Sequence, residues 1–243
     1  MIDNKFLRTE ILLGTAAQEL LKTSTVAVFG IGGVGSFSVE ALARAGVGHL
    51  VLVDHDVVDV TNINRQIHAT TKTIGQSKTE LMRSRIIDIN PEAIVDTIDD
   101  FYLPNNDTSK YFICNYDYVI DAIDTITGKI GLVIECNRRG LKIISSMGAG
   151  NKLDPTQFKV ADIFSTSVDP IAKIMRKKLK ENDITSLKVV YSTEKPRELN
   201  QDIIAKLPPS NKIIGSVSFV PSVAGLILAG EVIKELSRKN AAS

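Results

Sequence analysis

Cysteine is nearly absent from this 243-residue chain: only Cys114 and Cys136 occur, too few and too far apart for a disulfide framework or a four-thiolate zinc site. No CxxC pair exists, so no zinc is expected. A reducing, cytoplasmic setting is the matching expectation. Charge of one sign is also missing. The 29 Lys and Arg against 28 Asp and Glu leave a net +1, which argues against a chain-wide nucleic-acid field but leaves room for a local one. Long hydrophobic runs are missing too. The longest, FVPSVAGLILAG from Phe219, is followed at once by Glu231 and Lys234 and falls short of the roughly 20 residues that span a bilayer. It reads as a buried helix, and no membrane partner is expected. The opening MIDNKFLRTEILLG carries early charge and no apolar segment before a small-residue cleavage site, unlike a secretory signal. No internal repeat is found.

What is present is a 44% apolar composition, enough for one large α/β unit or two unequal ones. TVAVFG from Thr25, LVLVD from Leu50, AIVDTI from Ala93, YVIDAID from Tyr118 and LKIISSMG from Leu141 read as buried strands. Between them VGSFSVEALARAG, GQSKTELMRSRIIDINP and TGKIGLVIECNRRG read as helices, the last closed by Gly140. Such alternation predicts a doubly wound, mainly parallel α/β sheet with helices on both faces. NKFLRTEILLGTAAQELL forms a helical arm ahead of it. After residue 150 a strand and helix extension follows: FKVADI and LKVVYS as strands, DPIAKIMRKKLKEN and PSVAGLILAGEVIKELSRK as helices, with a Pro- and Asn-rich loop over 192–212.

Gly30, Gly32, Gly33 and Gly35 follow a strand and open a helix, where side-chain-free backbone and helix amides can approach phosphates. Asp54, at the end of the second strand, suits ribose hydroxyls. A nucleotide is expected, but a hydride-transferring and an ATP-consuming enzyme share these features. The next segment, DHDVVDVTNINRQIHATTKTIGQSK, places Asn62, Asn64, Arg65 and Gln66 in a loop and Lys78 near a helix start. Adenylation needs such groups, because attack of a carboxylate on an α-phosphate develops negative charge that cations and amides stabilise. Taken singly, Arg65 or Lys78 is equally compatible with a surface charge. In DYVIDAIDTITGK, Asp121 and Asp124 stand at the ligand-binding end of a strand. Asp124 is the preferred magnesium ligand, with Asp121 open to a capping or turn role. The histidines His49, His55 and His68 have no metal-ligand spacing, and none is assigned a catalytic role.

As a set, GIGGVGS, D-H-D-x-V-x-x-T-N-I-N-R-Q, GQSK and DAIDT resemble the ubiquitin-activating-enzyme-like adenylating superfamily, whose bacterial members include ThiF and MoeB. The resemblance implies a single adenylation domain over 1–243, with an ATP-binding half (1–150) and a half for substrate and oligomerisation (151–243). It implies ATP contacts by Gly30, Gly32, Gly33, Gly35 and Ser36, by Asp54 and Asp56, and by Asn62, Asn64, Arg65, Gln66 and Lys78. Asp124 would serve magnesium. FLRTEILLG resembles the family's N-terminal arm, which implies a homodimer in which Arg8 reaches the neighbouring subunit's ATP phosphates.

No CxxC occurs, and Cys136 falls inside a predicted helix, so the acyl-adenylate must pass to something other than cysteine. The second half resembles the tRNA threonylcarbamoyladenosine dehydratase family, the TcdA (CsdL) group: SSMGAGNKLDPTQFKVADIFSTSVDPIAKIMRKKLKENDI, LKVVYSTEKP and GSVSFVPSVAGLILAGEVI. That likeness implies ATP-dependent cyclisation of threonylcarbamoyladenosine beside the tRNA anticodon. A monovalent cation and a cysteine desulfurase or sulfur-acceptor system are further candidates for ligand and partner. On the 169–182 helix, Ile171, Ile174, Met175 and Leu179 are expected inside. Lys173, Arg176, Lys177 and Lys180 then face solvent as a tRNA surface, with Lys178 at its margin. Arg138, Arg139, Lys195 and Arg197 are candidates to extend it. Two other classes stay open: an activator of a ubiquitin-like sulfur-carrier C-terminus, and a dinucleotide oxidoreductase or nucleotide-binding module.

Overall fold

A computed structural model describes residues 4–104, 107–206 and 214–238. In chain order the elements are α1 Leu7–Leu13, α2 Thr15–Thr23, β1 Thr25–Phe29, α3 Gly35–Ala45, β2 His49–Val53, α4 Lys78–Ile89, β3 Ile94–Ile98, β4 Tyr118–Asp121, α5 Ile126–Arg139, β5 Ile143–Ser146, β6 Phe158–Asp162, α6 Pro170–Lys180, β7 Lys188–Ser192, α7 Gln201–Ile204 and α8 Phe219–Leu236. The strands make one sheet in the order β3-β2-β1-β4-β5-β7-β6. Every neighbouring pair is parallel except β6 with β7.

Period-two alternation sends each strand's residues to opposite layers. Val26 and Val28 of β1 join Val39 and Leu42 of α3 and Ala224 and Leu228 of α8 on one face. Ala27 and Phe29 join Leu132 and Cys136 of α5 on the other. Burial on both faces is why these strands read as continuous apolar runs. A third cluster packs Met175 and Leu179 of α6 on Val189 and Tyr191 of β7. Because β1 lies between β2 and β4, the winding direction reverses there, and a crevice opens beyond the carboxyl ends of β1 and β4.

Three expectations change in detail. The arm is two helices, since Gly14 at φ +89° separates α1 from α2. The 192–212 segment holds the single-turn α7, capped by the Asn200 side chain, which accepts from Asp202 N–H and Ile203 N–H; residues 207–212 of that expectation lie outside the described residues. On α6, Ile174 is 44% exposed while Ala172, Met175 and Leu179 are buried. The i, i+3, i+7 stripe through 172 leaves position 174 off its edge. Among the described residues no helix is long and apolar enough to cross a membrane.

Candidate active site

Beyond β1 the chain turns at Gly30, φ +87°. A Cβ there would stand 2.6 Å from the Ala122 carbonyl oxygen, and one at Gly35 would stand 1.8 Å from that of Gly30. The loop is therefore folded onto itself and pressed against the exit of β4, a geometry closed to any side chain. Gly30, Gly32, Gly33 and Val34 line a cavity of about 560 Å³, the size of a small-molecule site. Gly35 and Ser36 shape the loop from behind and do not border the cavity. The Ser36 hydroxyl is buried without a hydrogen-bond partner among the described residues.

Asp54, just past β2, is 9% exposed. Its Oδ2 accepts the Ile31 N–H at 2.5 Å and its Oδ1 the Asp56 N–H at 2.8 Å. Those bonds hold the carboxylate at the cavity wall. Lys78, the first residue of α4 after its cap Ser77, is 4% exposed. A buried ammonium requires a partner, and Nζ donates to Asp56 Oδ2 at 2.7 Å. The crossover loop brings Asn62, Arg65 and Gln66 to the same cavity. Arg65 is steadied by Nη1 donating to the Thr61 carbonyl at 2.8 Å and to Asn64 Oδ1 at 3.0 Å. Asn64 itself does not border the cavity. Its Nδ2 donates to the Ser216 carbonyl at 3.0 Å and so ties down the 214–216 segment that closes one rim.

Three cavity-lining side chains carry buried polar atoms without a partner among the described residues: Gln66 Oε1, Thr125 Oγ1 and the Tyr102 hydroxyl. Buried polar groups are nearly always paired, and these three atoms are exceptions in the residues that wall the cavity. Asp124 borders the cavity from the loop after β4, and among the described residues nothing pairs with its carboxylate. Asp54, His55 and Asp56 also bring ligand atoms within 4.8 Å of one another. Both oxygens of Asp54 already accept amides and Asp56 holds Lys78. Asp124 is thus the carboxylate left available to a cation.

Asp121 is fully buried and lies 3.0 Å from Lys129 Nζ. That lysine is 2% exposed, borders the cavity, and donates to the Ile123 carbonyl at 3.1 Å, so it steadies the strand-to-helix loop that carries Asp124. Sequence reasoning missed Lys129. The available signal was a lysine in the i, i+3, i+7 stripe with Leu132 and Cys136, where solvent is excluded.

Neither thiol borders the cavity. Burial pushes the Cys136 thiol far above its ordinary range, and desolvation also raises that of Cys114, which lies exposed. Neither is an activated nucleophile. His55 lies 3.0 Å from Asp56 and edge-on to Phe101. His68 is buried with both ring nitrogens unpartnered among the described residues. Burial, reinforced by Lys78 and Arg85, lowers its pKa from 6.5 to about 4.

On α6, Lys173, Lys177 and Lys180 are exposed as expected. Arg176 is not: half-buried, it donates to the Thr166 carbonyl at 3.1 Å and contacts the Thr166 hydroxyl. Its guanidinium is committed to the turn that precedes α6. Arg138 and Arg139 both pair with Glu135, and Arg197 with Glu194, so none extends the basic face freely. Arg8 is exposed on α1 and does not border this chain's own cavity.

Known proteins are similar to this one along nearly the whole chain. The model of the ThiF family matches residues 6–243. The tRNA threonylcarbamoyladenosine dehydratase of Bacillus subtilis (strain 168) is 48% identical over 246 residues, covering 96% of this chain and 94% of that protein. The crystal structure of the E. coli tRNA N6-threonylcarbamoyladenosine dehydratase, TcdA, in complex with AMP is similar with a TM-score of 0.87 and 37% identity, over 98% of this chain and 96% of that one. Its complex with ATP gives a TM-score of 0.84 at 37% identity, over 96% and 93% of the two chains. The chain belongs to the ThiF family.

Proposed function

We propose that this protein acts as an ATP-dependent tRNA threonylcarbamoyladenosine dehydratase. In this reading 1–243 is a single adenylation domain, with ATP held by residues 1–150 and the modified nucleoside approached from 151–243. The glycine loop from Gly30 to Val34, the N-cap residue of α3, takes the phosphates, and Asp54 accepts from ribose hydroxyls. The threonyl carboxylate attacks the α-phosphate, forming an acyl-adenylate and releasing pyrophosphate. Arg65 and Lys78 offset the negative charge that develops in that step. Asp124 holds magnesium, which when bound supplies charge neutralisation on the phosphates.

An atom of the same modification then closes on the activated carbonyl, and AMP leaves with one carboxylate oxygen. The nucleoside thereby loses one water overall. A nucleophile tethered to its electrophile needs no covalent enzyme intermediate. Lys173, Lys177 and Lys180 draw in the tRNA backbone. Arg8 acts across a homodimer, on the partner subunit's ATP.

The observation that carries this reading is the meeting of Asp54, Arg65, Lys78 and Asp124 around one glycine-walled cavity that no cysteine borders. Its test is nucleoside mass spectrometry of tRNA bearing threonylcarbamoyladenosine after incubation with the protein, magnesium and ATP. A nucleoside lighter by one water only when ATP is present is expected. An unchanged nucleoside, with adenylation of a carrier protein ending in Gly-Gly instead, would replace this reading by sulfur-carrier activation.

A further inference from the structure

The wall of the cavity nearest the basic helix contains a second buried ion pair. Lys152, 3% exposed, and Asp169, 2% exposed, face each other with Nζ 3.8 Å from Oδ2. Between them they hold the Gly148 residue by both its backbone polar groups. Lys152 Nζ donates to the Gly148 carbonyl at 2.6 Å, and Asp169 Oδ2 accepts the Gly148 N–H at 3.1 Å. Gly148 lines the cavity. The other oxygen of Asp169 accepts the N–H groups of Ile171 and Ala172, at 2.9 and 3.0 Å, in the first turn of α6. Ile171 also lines the cavity. One carboxylate therefore joins the catalytic wall to the base of the helix that presents Lys173 and Lys177.

The backbone is bent to deliver this pair. Val168, immediately before Asp169, sits at φ +67°, and the Asp169 N–H donates to the Ser167 carbonyl at 2.7 Å, closing a γ-turn of the rare, strained hand. A β-branched residue at positive φ is uncommon and unfavourable, and such strain persists where surrounding structure over-determines it. Asn151, immediately before Lys152, is at φ +58°. It ties the same wall to the rim segment through paired hydrogen bonds with Gly215, at 2.7 and 2.8 Å. Burial lowers the pKa of Lys152 while Asp169 and Glu194 oppose that fall.

We infer that Lys152 and Asp169 are positioning residues that lock α6 and the Gly148 wall into one body. A nucleoside whose tRNA is docked on α6 is thereby presented to the α-phosphate at a fixed distance. This inference rests on the dehydratase reading given above. An adenylate-forming step is sensitive to such alignment, because displacing reacting groups by about 1 Å can lower a rate on the order of 100-fold.

The test measures kcat at saturating ATP and tRNA, KM for ATP and the tRNA dissociation constant for Lys152→Met, Asp169→Asn and the double variant. Asp169→Asn keeps an acceptor oxygen for the α6 amides, so it serves if Lys152→Met fails to fold. Each single change is expected to lower kcat roughly 10- to 100-fold while both affinities stay within about twofold. The double variant should be no slower than the worse single one, as for residues acting as a unit. An undiminished kcat in a folded single variant would overturn the inference. So would a fall in kcat matched by an equal loss of ATP affinity, which would reduce the pair to a structural brace. A wild-type protein that forms no cyclised nucleoside would instead overturn the dehydratase reading.

Discussion

The two flanks of the cavity handle charge in opposite ways. On the β1–β4 side most of the ionisable groups are already held by a partner: buried Lys78 with Asp56, Lys129 with Asp121, Asp54 against two backbone amides; exposed Asp124 is the exception. On the outer face of α6, Lys173 and Lys177 are exposed and form no ion pair among the described residues. Each arrangement suits a different task. Stabilising charge at a reacting phosphate calls for groups that are fixed in advance and shielded from water. Capturing an RNA backbone calls for mobile cations whose effect is long-ranged and salt-dependent. Substitutions on the first flank should therefore change rate and stability, and those on the second should change salt-sensitive affinity.

The sharpest break would come from Asp121→Ala, which strands the Lys129 ammonium in a site where both partners are 2% exposed or less. A loss of about 3–5 kcal/mol of unfolding free energy is expected by denaturant titration; wild-type stability would show that the pair braces nothing. Lys78→Ala should reduce kcat by about 100-fold or more with tRNA affinity retained, measured by steady-state turnover and filter binding. Asp124→Ala should behave alike, and full turnover in either would remove it from the site.

Acid should expose His68. Its folded pKa, about 4, lies below the ordinary 6.5, so between those values the unfolded chain binds a proton that the native one refuses. Its contribution is complete above pH 6.5 and lost as pH falls toward 4, on the order of 3 kcal/mol in all. His68→Leu should flatten the stability profile in that window; an unaltered slope would assign the acid sensitivity elsewhere. Smallest of all, Lys177→Glu should weaken tRNA binding severalfold and lower the salt-dependence slope by roughly one. Arg176→Ala should leave that slope unchanged, because its guanidinium is bound to Thr166. A slope that responds to Arg176 alone would reverse the assignment of the basic face.

The first flank was the more legible in the sequence, for a physical reason. Parallel strands buried on both faces announce themselves as short apolar runs, and a backbone with no room for Cβ at Gly30 and Gly35 forces glycine into view. Asp54, Arg65, Lys78 and Asp124 follow in an order that the motifs carry. The ion pairs were not legible, because Lys129 with Asp121 and Lys152 with Asp169 depend on which loops fold against which, and no periodicity encodes that. Arg176 is less exposed than helical spacing implies, for a related reason. Helical spacing puts it on the polar face, but the Ile163–Ser165 turn and Thr166 reach the guanidinium from outside the helix. Asn64 sits in the expected loop, yet its amide serves the rim at Ser216.

The central claim is that the cavity activates a carboxylate by transferring AMP to it. The most direct measurement uses tRNA whose threonyl carboxylate carries oxygen-18, turned over with ATP and followed by mass spectrometry of the released nucleotide. Adenylation places one heavy oxygen in AMP and none in pyrophosphate, since the attacking carboxylate oxygen stays on the α-phosphate when the ring closes. Label found in inorganic phosphate with ADP as the nucleotide product, or released as water with AMP unlabelled, would contradict it.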